Sequence, residues 1–106
     1  MSTGTLKRLA ALEDARFVRQ LTRLDVSAFE QLYDEISPDV YGHLLQTAPS
    51  SDLAESMLVE TFYRAWGNIH AFSGERAALR PWLIGIASDL LQQEMSMLTL
   101  TENRAA

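Results

Sequence analysis

Apolar residues along this chain recur at offsets of three and four, the spacing of one helix face, and no segment sustains the alternation of a half-buried strand. The first helical pattern covers about Thr5 to Arg23, where Leu6, Leu9, Ala10, Phe17, Leu21 and Leu24 can share a face. Leu24-Asp25-Val26 interrupts it. Ser27-Ala28-Phe29-Glu30 has the form of a capping box, with Ser27 at the start of a second helix and Glu30 able to reach back. That helix carries Phe29, Leu32, Tyr33, Ile36 and Val40 on one stripe and continues through Tyr41, Leu44 and Leu45. Ser37-Pro38 is compatible with a kink or with a fresh helix start. Ala48-Pro49-Ser50-Ser51-Asp52 is the clearest turn, and Ser51 or Asp52 is placed to cap a third helix. There Ala54, Met57, Leu58, Thr61, Phe62, Ala65 and Trp66 recur helically, and Gly67 is expected to end the run. Residues 67–77 read as a loop anchored by Phe72. The fourth stripe is Leu79, Trp82, Leu83, Ile86, Ala87 and Leu90, with Pro81 in the first turn.

Helices with wide apolar faces and short connections must bury those faces against one another, so the pattern predicts a compact all-α, four-helix bundle. A chain of 106 residues supports one such core. The expected division is residues 1–24 as the N-terminal helix of the same domain, 25–98 as the helical core, and 99–106 as a frayed tail.

Charge changes the picture. The net charge is −5, but residues 1–23 hold Lys7, Arg8, Arg16, Arg19 and Arg23 against two acids, a local balance of +3. The remainder holds four arginines against twelve acids, a balance of −8. Affinity for a nucleic-acid backbone comes largely from cations that displace counterions, so this acidic body suits a basic protein surface better than DNA. The basic first helix can reach DNA or an acidic partner.

Chemistry is sparse. There is no cysteine, which removes disulfides and thiolate metal sites. No nucleophile motif, phosphate-cradling glycine loop or zinc spacing occurs. His43 lies one helical turn from Asp39 and reads as a surface histidine with a helical neighbour; His70 falls in the loop beside Asn68. Glu55 and Glu60 are too far round one helix to face a common substrate. Nothing points to an enzyme, a metal or a cofactor. The N-terminal residues lack a signal-peptide core, and no run approaches the roughly 20 apolar residues of a membrane helix, so a cytoplasmic location is expected.

Between Val18 and Trp66 the order of residues resembles a known family. Arg19-Gln20-Leu21, Asp25, Ala28-Phe29-Glu30-Gln31-Leu32-Tyr33-Asp34 and Val40-Tyr41 are similar to the opening of extracytoplasmic-function (ECF) sigma factors. Ala54-Glu55-Ser56-Met57-Leu58-Val59-Glu60-Thr61-Phe62-Tyr63-Arg64-Ala65-Trp66 resembles the family's next helix. Phe72, Ala78 and Pro81-Trp82-Leu83-Ile84-Gly85-Ile86-Ala87 resemble its loop phenylalanine and last helix. The likeness runs over roughly residues 15 to 97 and covers region 2 of such factors.

The resemblance implies two tasks: gripping the coiled-coil clamp helices of the RNA polymerase β′ subunit, and opening and reading the −10 promoter element. It places the clamp surface on the third helix, at Asp52, Glu55, Ser56, Val59, Glu60 and Tyr63. Glu55 and Glu60 are retained, whereas the family's aspartate is Ser56 here and its glutamine is Val59. It places promoter contacts at Asn68, Phe72, Arg76, Arg80, Ser88 and Asp89. On that side Ser88 replaces an arginine and Asp89 an asparagine, and no cation occurs from Ala87 to Asn103. Asp89 and Glu94 repel phosphates, so DNA binding is expected to be weak or indirect. The chain ends where a linker to region 4 would begin, which implies a stand-alone region 2 whose partner supplies promoter recognition. The other reading is a regulatory module of the same fold that contacts an anti-sigma or sensor protein through an apolar face of the last helix, at Leu91, Met95, Met97 and Leu98.

Overall fold

The path of the chain is set by four helices, the first three opened by side-chain caps at Ser2, Asp25 and Ser50. The computed structural model describes residues 2–105, with side chains placed through Thr101; Met1 and Ala106, at the ends of the expected first and last segments, lie outside the described residues. Helix α1 spans Thr3–Thr22, α2 Val26–Thr47, α3 Ser51–Asn68 and α4 Leu79–Ala105, with short 3₁₀ turns at Ile69–Ala71 and Arg76–Ala78. The all-α expectation holds, and no strand forms among the described residues.

Three boundaries differ from the sequence expectation. Helix α1 closes on Leu24, which takes a left-handed backbone at φ 63°. The Leu24 N–H donates to the Leu21 carbonyl at 3.0 Å and the Asp25 N–H to the Gln20 carbonyl at 3.1 Å, the double closure of a Schellman motif. That closure leaves Asp25 extended, and its Oδ1 accepts from the Ala28 N–H at 3.0 Å. Asp25 therefore caps α2, and Ser27 lies inside the helix rather than at its cap. Likewise Ser50, not Ser51 or Asp52, caps α3, accepting from the Leu53 N–H at 3.1 Å. Gly67 does not stop α3. The helix runs to Asn68, whose amide donates to the Arg64 carbonyl at 2.8 Å, and then tightens into the 3₁₀ turn that buries Ile69.

Pro38 is accommodated within α2, which stays one helix. Its ring removes a donor to the Asp34 carbonyl, and Asp34 is exposed, so water can take that acceptor. At the other end α4 is helical through Thr99 to Ala105. Leu, Gln, Glu and Met dominate residues 90–98 just before this stretch, and such residues lose little freedom in a helix.

Helix α3 packs on both α2 and α4, and α2 also meets α4. Leu32, Val40, Leu44, Ala54, Ala65, Ile69, Leu79 and Leu83 fill the shared centre. An aromatic seam locks α2 to α3: Phe29 meets Trp66 at 4.9 Å and Tyr33 meets Phe62 at 4.8 Å between ring centroids, both edge-on. Thr61 is fully buried and satisfied, its hydroxyl donating to the Met57 carbonyl at 2.6 Å.

Helix α1 leans on α2 and the 3₁₀ turns but touches neither α3 nor α4. Only Phe17 and Leu21 of α1 are buried; Leu6, Leu9 and Leu24, expected on the same packed face, are exposed. The free halves of α1 and α4 stretch the molecule to 67 × 25 × 19 Å. No helix among the described residues is long and apolar enough to cross a membrane.

Candidate functional site: the α3 ridge

Asp52, Ser56, Val59, Glu60 and Tyr63 fall within roughly 100° of arc on a helix of 3.6 residues per turn. Burial of Ala54, Met57, Thr61, Phe62 and Ala65 turns the opposite face of α3 into the core. The first set is therefore presented outward, and Glu55 flanks it. All six residues are exposed, with Val59 at 66% and Tyr63 at 77%. The sequence-expected clamp surface is thus one continuous strip: carboxylates of Asp52, Glu55 and Glu60 around an apolar centre of Val59 and Tyr63.

Two grooves border the strip. On the α2 side, Val26, Phe29, Glu30, Phe62 and Trp66 join Val59 and Tyr63 around an apolar channel of about 510 Å³. On the α4 side, Met57, Leu90 and Met97 line a groove of about 650 Å³ with Glu60 and Glu94. Val59 belongs to both. A ridge with a furrow on each side is a shape that can seat more than one helix of a partner. Leu90, Gln93 and Glu94 were not legible in the sequence as part of this surface, because only the packing of α4 on α3 brings them beside Glu60.

The residues expected to contact the promoter are placed differently. Arg76 reaches away from α4 and binds the Glu35 carboxylate with one nitrogen at 2.9 and 3.0 Å and Asp14 with the other at 3.3 Å. Its guanidinium also lies 4.2 Å from the centre of the Phe17 ring. Hydrogen bonds from Arg76, then from Gln31, hold the Glu35 carboxyl below the usual glutamate range against a small opposing effect of burial. Arg80 pairs with Asp39 at 3.3 Å. Phe72 is half-buried against Trp82, with ring centroids 5.3 Å apart. Asn68 is engaged by the Arg64 carbonyl.

Ser88 lies at the α2–α4 contact, and its hydroxyl meets His43 Nε2 at 2.9 Å. His43, expected as a surface residue beside Asp39, is half-buried and bonded across to α4 instead. Among the six, Asp89 alone is exposed with no side-chain bond among the described residues, and it carries the charge that DNA repels. On the last helix Met95, Met97 and Leu98 are exposed as expected, but Leu91 is 4% exposed and belongs to the core.

The profile of the sigma-70 region 2 family matches residues 32–96, well over half of the chain. The chain belongs to the sigma-70 region 2 family. That family is non-enzymatic. The chain is similar to the ECF RNA polymerase sigma factor SigM of Bacillus subtilis, 36% identical over 58 residues that cover 55% of this chain and 34% of the relative. It is also similar to BldN of Streptomyces coelicolor, 33% identical over 67 residues, 63% of this chain and 25% of that protein. RpoE of Cereibacter sphaeroides is 29% identical over 63 residues, 59% of this chain and 35% of that one. The matched segment thus spans about a quarter to a third of each of these sigma factors. No solved structure matches. Within this region 2 domain, the matched segment contains α3, most of α2 and the packed part of α4, and so includes every residue of the ridge.

Proposed function

We propose that this region 2 domain docks through the α3 ridge on the clamp helices of the RNA polymerase β′ subunit and acts in transcription in the cytoplasm, with a separate region-4-like partner supplying promoter recognition. The observation that carries the reading is the open strip itself. Asp52, Glu55 and Glu60 are exposed around Val59 and Tyr63, and none of the three carboxylates forms an ion pair among the described residues. Val59, in place of the family's glutamine, adds apolar area at the centre of the contact, where desolvated residues contribute most to binding. The acids at its edge steer a basic partner and fix its register.

The promoter side supports a subordinate role for DNA. Arg76 and Arg80 are held in ion pairs within the domain, and Ser88 bonds inward. Few groups are then left to bind phosphates or an extruded base. Duplex and single-stranded −10 oligonucleotides are expected to bind no better than unrelated DNA of equal length.

The direct test is retention of purified RNA polymerase core on the immobilised protein. Wild type is expected to retain it, and Glu60→Arg to lose it while its far-ultraviolet circular dichroism is unchanged. Failure of the wild type to retain polymerase overturns the reading.

A further inference from the structure

Helix α1 carries a second stripe that its own fold does not use. Leu9, Leu12 and Arg16 follow at offsets of three and four, with Arg8 at the far edge; Leu9 lies at the margin of the face that buries Phe17 and Leu21, and the others lie further round from it. Leu9 is 45% and Leu12 66% exposed. Neither Arg8 nor Arg16 forms an ion pair among the described residues. The stripe is therefore apolar and basic together.

The complement lies on the same molecule. The groove between α3 and α4 is floored by Met57, Leu90 and Met97 and rimmed by Val59, Glu60 and Glu94, with no cation in its lining. A comparable groove between α2 and α4, beside His43 and Met95, has no carboxylate and offers the arginines nothing. Helix α1 cannot reach the acidic groove of its own chain. It is one continuous helix pinned at its far end by Phe17, Leu21 and the Asp14–Arg76 pair, and it has no contact with α3 or α4.

We infer that the Leu9–Leu12–Arg16 stripe of one copy docks in the α3–α4 groove of a second copy, so that self-association covers Glu60 and Val59 and competes with polymerase. The occupant follows from charge as well as shape: a groove whose only ionisable groups are Glu60 and Glu94 meets a leucine pair flanked by Arg8 and Arg16. The contact is heterologous, joining two different patches, so each chain offers one patch of each kind. The competition with polymerase rests on the ridge reading above; the self-contact does not.

Sedimentation velocity of the full chain at roughly 100 µM, where a contact of micromolar Kd is largely occupied, tests it. Wild type is expected to sediment well above its 11.9 kDa monomer mass. Leu9→Asp/Leu12→Asp and Glu60→Arg/Glu94→Arg are each expected to weaken association about a thousandfold, to a Kd well above the working concentration, and so to run largely as monomers, with circular dichroism unchanged. An equimolar mixture of the two variants is expected to form a complex, because one keeps the groove and the other the stripe. A monomeric wild type, or a mixture that stays monomeric, overturns the self-contact. Polymerase retention separates the two proposals. The Leu9→Asp/Leu12→Asp protein leaves the ridge intact and is expected to retain core polymerase more strongly than wild type at the same high concentration; equal retention overturns the competition. A wild type that self-associates while neither protein retains polymerase upholds the contact and rejects the ridge reading instead.

Discussion

Asp25 joins α1 to α2 through a cap that depends on its neighbour's backbone. Leu24 occupies a left-handed conformation that costs a residue with a Cβ roughly 1–2 kcal/mol, and in return both closing hydrogen bonds of α1 form. Glycine at this site relieves the strain but gains freedom in the unfolded chain, so Leu24→Gly is expected to raise unfolding free energy by only about 0.5 kcal/mol. The cap beside it is testable in the same urea titrations. Asp25→Ala is expected to cost about 1 kcal/mol, through loss of the bond to the Ala28 N–H and of a favourable charge at the helix start. Ser27→Ala is expected to change stability by no more than about 0.5 kcal/mol, since Ser27 caps nothing and is exposed. The reverse ranking would show that the sequence-predicted capping box operates. Gly74 is a second point of close approach: a Cβ there would come within 2.9 Å of the end of the Phe72 ring, so alanine requires that ring, which packs on Trp82, to shift.

Helices and their connections were legible to different degrees. All four helices follow from apolar spacing because each has a buried stripe, whereas the ridge was implied by the family resemblance, and offsets of four and seven then put its residues on one face of α3. The caps did not follow. Ser27-x-x-Glu30 is a valid capping box, and nothing in a leucine announces the left-handed turn that shifts the start to Asp25. The exposure of Leu6 and Leu9 was equally hidden, since a leucine stripe reads the same whether or not another helix covers it. Arg76 illustrates the limit for the site. As a loop cation it fitted a DNA contact, but the fold places Asp14, Glu35 and Phe17 around it.

That cluster ties the α3–α4 connection to α1 and α2 and makes the element pH-dependent. The Glu35 carboxyl is lowered in the folded protein, so its contribution is fully present above the unfolded-state value and is lost as pH falls through the folded value. Wild type should therefore lose stability across about pH 5 to 3 more steeply than Glu35→Gln, as read by thermal melts at each pH. Exposed ion pairs are individually weak, so Arg76→Ala is expected to cost about 1 kcal/mol at neutral pH, part of it from the Phe17 contact. Phe29 binds the elements more firmly. It touches both Phe62 and Trp66, and Phe29→Ala is expected to cost about 3 kcal/mol.

At the scale of the whole molecule, charge and shape divide the labour. The basic half of α1 projects from one part of the bundle, the acidic strip of α3 lies between two grooves, and the cations near α4 are spent on intramolecular pairs. On the docking reading proposed above, a domain arranged this way holds the clamp coiled coil rather than opening DNA. Site-specific cross-linking to polymerase reads that assignment most directly, because it reports which face touches which subunit. With a photoreactive phenylalanine analogue in place of Tyr63, irradiation in the presence of core polymerase is expected to join this chain to β′ at the clamp helices. The same group in place of Leu45, exposed on α2 away from the ridge, is expected to give no such product. Cross-links to β′ from position 45 and none from 63 would contradict the account.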